Sequence, residues 1–216
     1  MQVIPAINAP DFNTAKSLIE KAKEFLPSSG EWIHLDVGDG LFSSIETWGN
    51  PEEFQSLQLS NIIKTEVHLM IINPLNFAEH WLRAGVKRLI VHLETISSLD
   101  VDSLLNLCSK YGADLMLSIN PVAPVEKLDP YLNKVFFFQI LSVMPGKAGQ
   151  VFEGSTLKKI AYLREKQPSV RIEVDGGINL ETAKLAKEAG ADIIVSASYI
   201  YNSNDPKEAL TRLAHV

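Results

Sequence analysis

At 216 residues, with 46% hydrophobic and 21% charged residues, the chain has the composition of an ordinary globular protein and leaves no room for a long disordered tail or a fibrous repeat. The formal charge is −6, and the 20 Lys and Arg are scattered and outnumbered by 26 Asp and Glu; this excludes a nucleic-acid partner, while a small phosphorylated ligand held by backbone N–H groups stays allowed. Cys108 is the only cysteine, so no intrachain disulfide and no multi-cysteine metal site can form, and it reads as a small apolar residue on the core face of a helix. No basic stretch followed by an apolar one opens the sequence, and no apolar run reaches about 18 residues. No membrane partner and a cytoplasmic location are therefore expected.

In chain order, short apolar runs alternate with segments of helical period. The strand candidates are Gln2–Ala6, Trp32–Asp36, Ile62–Leu69, Arg88–His92, Asp114–Ile119, Lys134–Ile140, Arg171–Val174 and Ile193–Ser196, rich in Ile, Val, Leu and Phe as strands buried on both faces require. Amphipathic stretches at Phe12–Leu26, Leu75–Ala84, Val101–Tyr111, Ser155–Lys166, Leu180–Ala189 and Pro206–Leu213 lie between them, with shorter intervals after the second and fifth strands. Asn179, and Asp205 before Pro206, supply helix-start signals, and Gly85, Gly112 and Gly190 stand where helices should stop. Eight βα units without a linker or composition break predict one domain over residues 1–216, an α/β protein of the (β/α)₈ TIM-barrel type. An open doubly wound sheet would show the same alternation; the count of eight favours closure.

In a parallel barrel the chemistry gathers at the C-terminal ends of the strands. The second strand ends in His34-Leu35-Asp36-Val37-Gly38-Asp39-Gly40, and alternation puts His34 and Asp36 on one side. Later strand ends carry His68, the pair His92 and Glu94, and Asp175. His34, Asp36, His68 and Asp175 are the candidate ligands of a divalent cation such as Zn²⁺, Mn²⁺ or Fe²⁺, since two imidazoles and two carboxylates form a mixed N/O donor set. The competing reading makes each a separately satisfied buried polar group; four convergent strand-end groups weigh against it. His92 and Glu94 read equally as partners that orient ligands or as a hydrogen-bonded core pair, and Asp39 with Gly40 as turn formers.

Three small-residue loops follow neighbouring strands: Met144-Pro145-Gly146-Lys147-Ala148-Gly149-Gln150, Gly176-Gly177-Ile178-Asn179 leading into a helix, and Ser196-Ala197-Ser198. Free backbone N–H groups at such loops and helix starts suit a phosphate. Each loop alone is explained equally well by turn formation; three together point to an anion site.

The segments His34 to Gly40, Glu66-Val67-His68-Leu69-Met70 with Asn73-Pro74, Val91-His92-Leu93-Glu94, Asn120-Pro121 with Pro124-Val125-Glu126, Ser142-Val143-Met144-Pro145-Gly146 with Gly149-Gln150, and Val174-Asp175-Gly176-Gly177-Ile178 resemble the ribulose-phosphate 3-epimerase family in order and spacing over nearly the whole chain. The resemblance implies an isomerase of the pentose phosphate pathway that interconverts D-ribulose 5-phosphate and D-xylulose 5-phosphate through an enediolate. It implies a divalent metal on His34, Asp36, His68 and Asp175, Asp36 and Asp175 as the acid/base pair, and phosphate binding at Gly146, Gly149, Gly176, Gly177 and Ser198. Two carboxylates suit an inversion next to a carbonyl, one removing a proton and the other returning one. Barrels of this kind often self-associate, so a homo-oligomer is left open.

Departures from the family fall on the walls of the site. Ala6 stands where the family usually has Ser, Gly38 where it has Met, Gly146-Lys147-Ala148-Gly149 in place of Gly-Phe-Gly-Gly, Ala197 in place of Gly, and Leu41 to Ile45 lack the usual Val-Pro-Asn. The expected consequences are a roomier pocket at Ala6 and Gly38, anion binding by Lys147, and a shifted sugar-phosphate preference. The alternatives are 3-epimerisation of a ketohexose 6-phosphate and a non-catalytic sugar-phosphate-binding barrel. The related sugar-phosphate synthases and decarboxylases typically carry a Lys near the third strand, where this chain has His68.

Overall fold

A computed structural model describes residues 1–26, 30–59 and 62–216. Strands β1 (Gln2–Ile7), β2 (Trp32–Gly38), β3 (Lys64–Met70), β4 (Arg88–His92), β5 (Asp114–Ile119), β6 (Phe137–Leu141), β7 (Arg171–Asp175) and β8 (Ile193–Ser196) form a closed barrel in sequential order, every neighbouring pair parallel. The expected (β/α)₈ barrel is what the chain folds into.

Helices α1 (Phe12–Phe25), α2 (Pro51–Ser56), α3 (Leu75–Arg83), α4 (Ser98–Tyr111), α5 (Leu157–Lys166), α6 (Leu180–Ala189), α7 (Ser198–Tyr201) and α8 (Pro206–Ala214) accompany the strands. None of them is long and apolar enough to cross a membrane. Their starts and stops are local. Asn179 accepts the N–H groups of Glu181 and Thr182, Asp205 accepts that of Glu208, and Gly112 and Gly190 end α4 and α6 in the left-handed conformation. Helix α4 begins three residues earlier than the hydrophobic period predicts, because Ser97 and Asp100 form a reciprocal capping box. The short intervals after the second and fifth strands are filled by the six-residue α2 and by a 3₁₀ helix at Val125–Tyr131. Behind that 3₁₀ segment, Lys134 and Val135 both donate to the carbonyl of Tyr131, so β6 begins only at Phe137 instead of at Lys134.

Alternation divides each strand between two environments. Outward residues such as Ile33, Leu35, Val67, Leu69, Leu89, Val91, Phe138, Ile172 and Val174 pack with the helices in one apolar cluster, which also takes in Cys108. Inward residues split in two. A small apolar cluster of Ile4, Ala6, Ile193 and Val195 fills the β8–β1 side of the lumen. His34, Glu66, His68, Arg88, His92, Ser118, Gln139 and Glu173, all buried, share the remainder with Ile90 and Met116.

Candidate active site

The chemistry begins with strand register. In the β2–β3 pair His34 lies opposite Glu66 and Asp36 opposite His68, so the inward residues of two strands meet side by side. Barrel closure adds Asp175 from the end of β7. The donor atoms of His34, Asp36, His68 and Asp175 all fall within 4.8 Å of one another.

Hydrogen bonding fixes which nitrogen of each imidazole faces this cluster. His34 Nδ1 lies 2.8 Å from Glu66 Oε1, so the ring donates there and turns Nε2 toward Asp36 Oδ1 at 3.1 Å. Burial, against the pull of Glu94, pushes the pKa of His92 down to about 4, so that ring stays neutral. His92 Nδ1 donates to Glu94 Oε2 at 3.3 Å, and His92 Nε2 accepts from His68 Nε2 at 2.9 Å. His68 thereby turns Nδ1 to the cluster, where it is buried without a hydrogen-bond partner, 3.5 Å from Asp36 Oδ1 and from Asp175 Oδ2.

Two imidazole nitrogens and two carboxylate oxygens thus point at one small volume. Burial alone would keep both rings neutral, yet the carboxylates lift His34 well above the usual histidine range and raise His68 as well. Asp36, despite its burial, is held below the ordinary carboxylate range by the two imidazoles. The cluster is short of positive charge, and its N/O donor set and orphaned Nδ1 fit a divalent cation. His92 and Glu94 form a hydrogen-bonded pair that reaches His68, and Glu94 is itself held by the N–H of Asn120 at 2.9 Å.

Beneath the cluster lies a layer that the sequence reading did not single out. Glu66 accepts from Arg88 Nη1 at 2.6 Å, and the guanidinium is sandwiched 4.3 Å from the ring centre of Trp32 and 4.0 Å from that of Phe137. Burial favours a neutral Glu66, but the hydrogen bond to His34 and the Arg88 charge keep its pKa below the ordinary value. Glu173, opposite, accepts from Gln139 Nε2 at 3.0 Å; burial and the Glu66 charge raise its pKa well above the carboxylate range. Spacing offered a signal: Glu66 and Glu173 each stand two residues before a ligand candidate on the same strand, in inward phase.

Above the cluster opens a narrow cleft of about 50 Å³ lined by Asp36, Asp175, Met70, Lys147 and Ser198, and by Gly146, Gly149, Gly176 and Gly177. All the sequence-derived acid/base and phosphate candidates therefore share one cleft, with His34 and His68 buried under its floor. Gly146, Gly176 and Gly177 are sterically required. A Cβ on Gly146 (φ 128°) would stand 2.4 Å from Ser44 Oγ, and one on Gly177 (φ 62°) would stand 2.5 Å from the backbone N of Phe152.

The departures from the family pattern have distinct outcomes. Ala6 lines the cleft, whereas Gly38 does not enlarge it: Ser43 Oγ and the carbonyl of Ile45 sit 2.5 and 2.7 Å from where its Cβ would be, so the Leu41–Ile45 segment fills that space. Ala197 has φ −101°, an angle open to any residue. Asn8, also unforeseen, projects from the end of β1 and donates to Asp36 Oδ2 at 2.9 Å and to the Gly146 carbonyl at 3.0 Å.

A closed parallel barrel with its ionisable groups converging in a cleft at the strand ends defines the class of barrel enzymes. Residues 2–201 match the model of the ribulose-phosphate 3 epimerase family, and the chain belongs to that family of isomerases. It is 37% identical over 190 residues to ribulose-phosphate 3-epimerase of Chlamydia pneumoniae, covering 85% of this chain and 82% of that one. Against the cytoplasmic isoform of ribulose-phosphate 3-epimerase from Oryza sativa subsp. japonica the identity is 32% over 215 residues, covering 98% and 92%. Among solved structures, 3-hexulose-6-phosphate synthase from Salmonella typhimurium superposes with a TM-score of 0.75, covering 100% of this chain and 97% of that one; at 14% identity the likeness is one of fold.

Proposed function

We propose that the protein catalyses metal-dependent 3-epimerisation of a ketose phosphate, D-ribulose 5-phosphate to D-xylulose 5-phosphate, in the cytoplasm. The observation that carries this reading is the convergence of Asp36 and Asp175 on one cleft, above two imidazoles whose ring nitrogens face them. One carboxylate takes the proton from C3, the electron pair of the C–H bond moves into an enediolate, and the other carboxylate returns a proton to the opposite face. His34, Asp36, His68 and Asp175 would hold a divalent cation, which offsets the negative charge that develops on the substrate oxygen. Glu66 and His92 keep the two imidazoles in the required tautomers. Backbone N–H groups around Gly146, Gly149, Gly176, Gly177 and Ser198 suit the phosphate, and Lys147, which lines the same cleft, would add a positive charge.

The test is solvent-deuterium incorporation at C3 together with epimerisation of D-ribulose 5-phosphate. The expected result is activity lost on chelation, restored by Zn²⁺, Mn²⁺ or Fe²⁺, and lowered about 10²- to 10⁴-fold by Asp175→Asn. Metal-loaded protein inert toward the pentulose but active on a ketohexose 6-phosphate would move the substrate; inertness toward both would leave a binding barrel without this chemistry.

A further inference from the structure

We infer that Asn8 is a positioning residue that locks Asp36 and ties it to the Gly146 loop, making the two proton-transferring carboxylates mechanically unequal. This inference rests on the two-carboxylate reading above.

The chain places Asn8 by simple phase. Ile4 and Ala6 are inward residues of β1, and Asn8, one step beyond the last residue of that strand, continues the series at the rim of the cleft. Its side-chain nitrogen lies 2.9 Å from Asp36 Oδ2 and 3.0 Å from the Gly146 carbonyl. Both neighbours are pure acceptors, so the orientation of the carboxamide is set by chemistry: the NH₂ group faces them and spends both hydrogens on them.

Asp36 is consequently held from two sides. Oδ1 faces His34 Nε2 at 3.1 Å and His68 Nδ1 at 3.5 Å, while Oδ2 receives Asn8. An ionised carboxylate oxygen offers more than one lone-pair direction, so Oδ2 keeps one for the substrate proton while its plane is fixed. Asp175 differs. Its Oδ2 faces His68 at 3.5 Å and His34 at 3.9 Å, and among the described residues no hydrogen bond reaches its other oxygen. The same amide also links the reacting carboxylate to the Gly146 loop, which Ser44 grips from the far side by donating its backbone N–H to Pro145 O at 3.1 Å. Settling of that loop is thereby coupled through one side chain to the aim of Asp36.

Each epimer surrenders its C3 proton to one carboxylate only. Deuterium found at C3 of the unconverted starting epimer was returned by that same carboxylate, so it reports Asp36 for one epimer and Asp175 for the other, whereas deuterium in the product comes from the opposite carboxylate. Initial rates of C3 deuterium incorporation into the recovered starting epimer in D₂O are to be measured separately from D-ribulose 5-phosphate and D-xylulose 5-phosphate, in the metal-loaded wild type and in Asn8→Leu and Asn8→Asp. Leucine keeps much of the volume and removes the donor; aspartate keeps the shape and sets an oxygen against Asp36 Oδ2 and Gly146 O.

The expected result is a fall of about 10- to 100-fold in wash-in from one epimer in Asn8→Leu, the scale of a misplaced reacting group, with wash-in from the other epimer little changed and the larger fall in Asn8→Asp. A packing role would leave Asn8→Leu near wild type or slow both epimers alike, and either outcome overturns the inference. Absence of exchange from both epimers in the wild type instead sinks the two-carboxylate reading and this inference with it, a different result from a wild type that exchanges and a variant that does so without bias.

Discussion

The two faces of the same eight strands follow opposite rules. On β3, Val67 and Leu69 point outward into a continuous apolar layer under the helices, while Glu66, His68 and Met70 point inward to ion pairs, imidazoles and the cleft. The outward face is stabilised by excluding water from hydrocarbon and is indifferent to direction; the inward face stores charge that is satisfied only by named partners at fixed distances. Stability and chemistry are thus separated by one step along a strand, and substitutions at adjacent residues should produce different kinds of failure.

Val67 and His68, both fully buried neighbours, offer the sharpest way to break that comparison. Replacing His68 by Gln removes one of four donors, and divalent-metal affinity measured by chelator competition should fall by more than the roughly 10- to 100-fold that loss of an orienting partner causes. Val67→Ala deletes two methyl groups from the outer layer and should lower stability by about 2 kcal/mol in urea denaturation, with metal affinity and turnover per folded molecule unchanged. A Val67→Ala protein that loses metal, or a His68→Gln protein that keeps it, would mean that the two faces are energetically coupled.

The same division explains what was legible in the sequence. Apolar runs and helix caps follow from local periodicity, so the eight strands and most helix limits could be read, and the misjudged starts of α4 and β6 were decided by Asp100 and Tyr131, through side-chain and backbone bonds that periodicity does not register. His34, Asp36, His68 and Asp175 stood out because a charged group at a strand end is unusual and alternation gives its direction. Glu66, Arg88 and Glu173 were embedded in strands read as apolar, although their inward phase was available. Asn8 was hidden more deeply: a lone Asn after a strand reads as a turn former, and only barrel closure brings it to Asp36 and Gly146, which lie 28 and 138 residues away along the chain.

At the mouth of the barrel, Gly177 and Gly149 compare a crowded position with an open one. Both have positive φ, but a Cβ on Gly149 would meet nothing within 4 Å, whereas on Gly177 it would strike the Phe152 backbone. Gly149→Ala should cost only the left-handed backbone penalty of about 1–2 kcal/mol. Gly177→Ala should cost more and, by displacing the loop, raise KM for a sugar phosphate. Equal effects in urea denaturation and in KM would mean that the Phe152 segment yields freely.

The smallest expected effect lies on the outer surface, where charge is screened by water. Glu79 accepts from Tyr111 Oη at 2.7 Å, Lys110 Nζ at 3.1 Å and Arg83 Nη2 at 3.2 Å, joining α3 to α4. The hydrogen bonds from Tyr111, Lys110 and Arg83 pull its pKa from an ordinary 4.5 down to about 2. A carboxylate with a depressed folded-state pKa stabilises fully above its unfolded value and loses that contribution as pH falls. Glu79→Gln should therefore melt slightly below the parent at neutral pH, with the gap closing between pH 4.5 and about 2 over the range in which the parent stays folded. A gap that did not narrow with acid would trace the effect to lost hydrogen-bond geometry instead of charge. Metal affinity should be the same in both proteins at every pH tested, because Glu79 lies outside the donor set that His34, Asp36, His68 and Asp175 form.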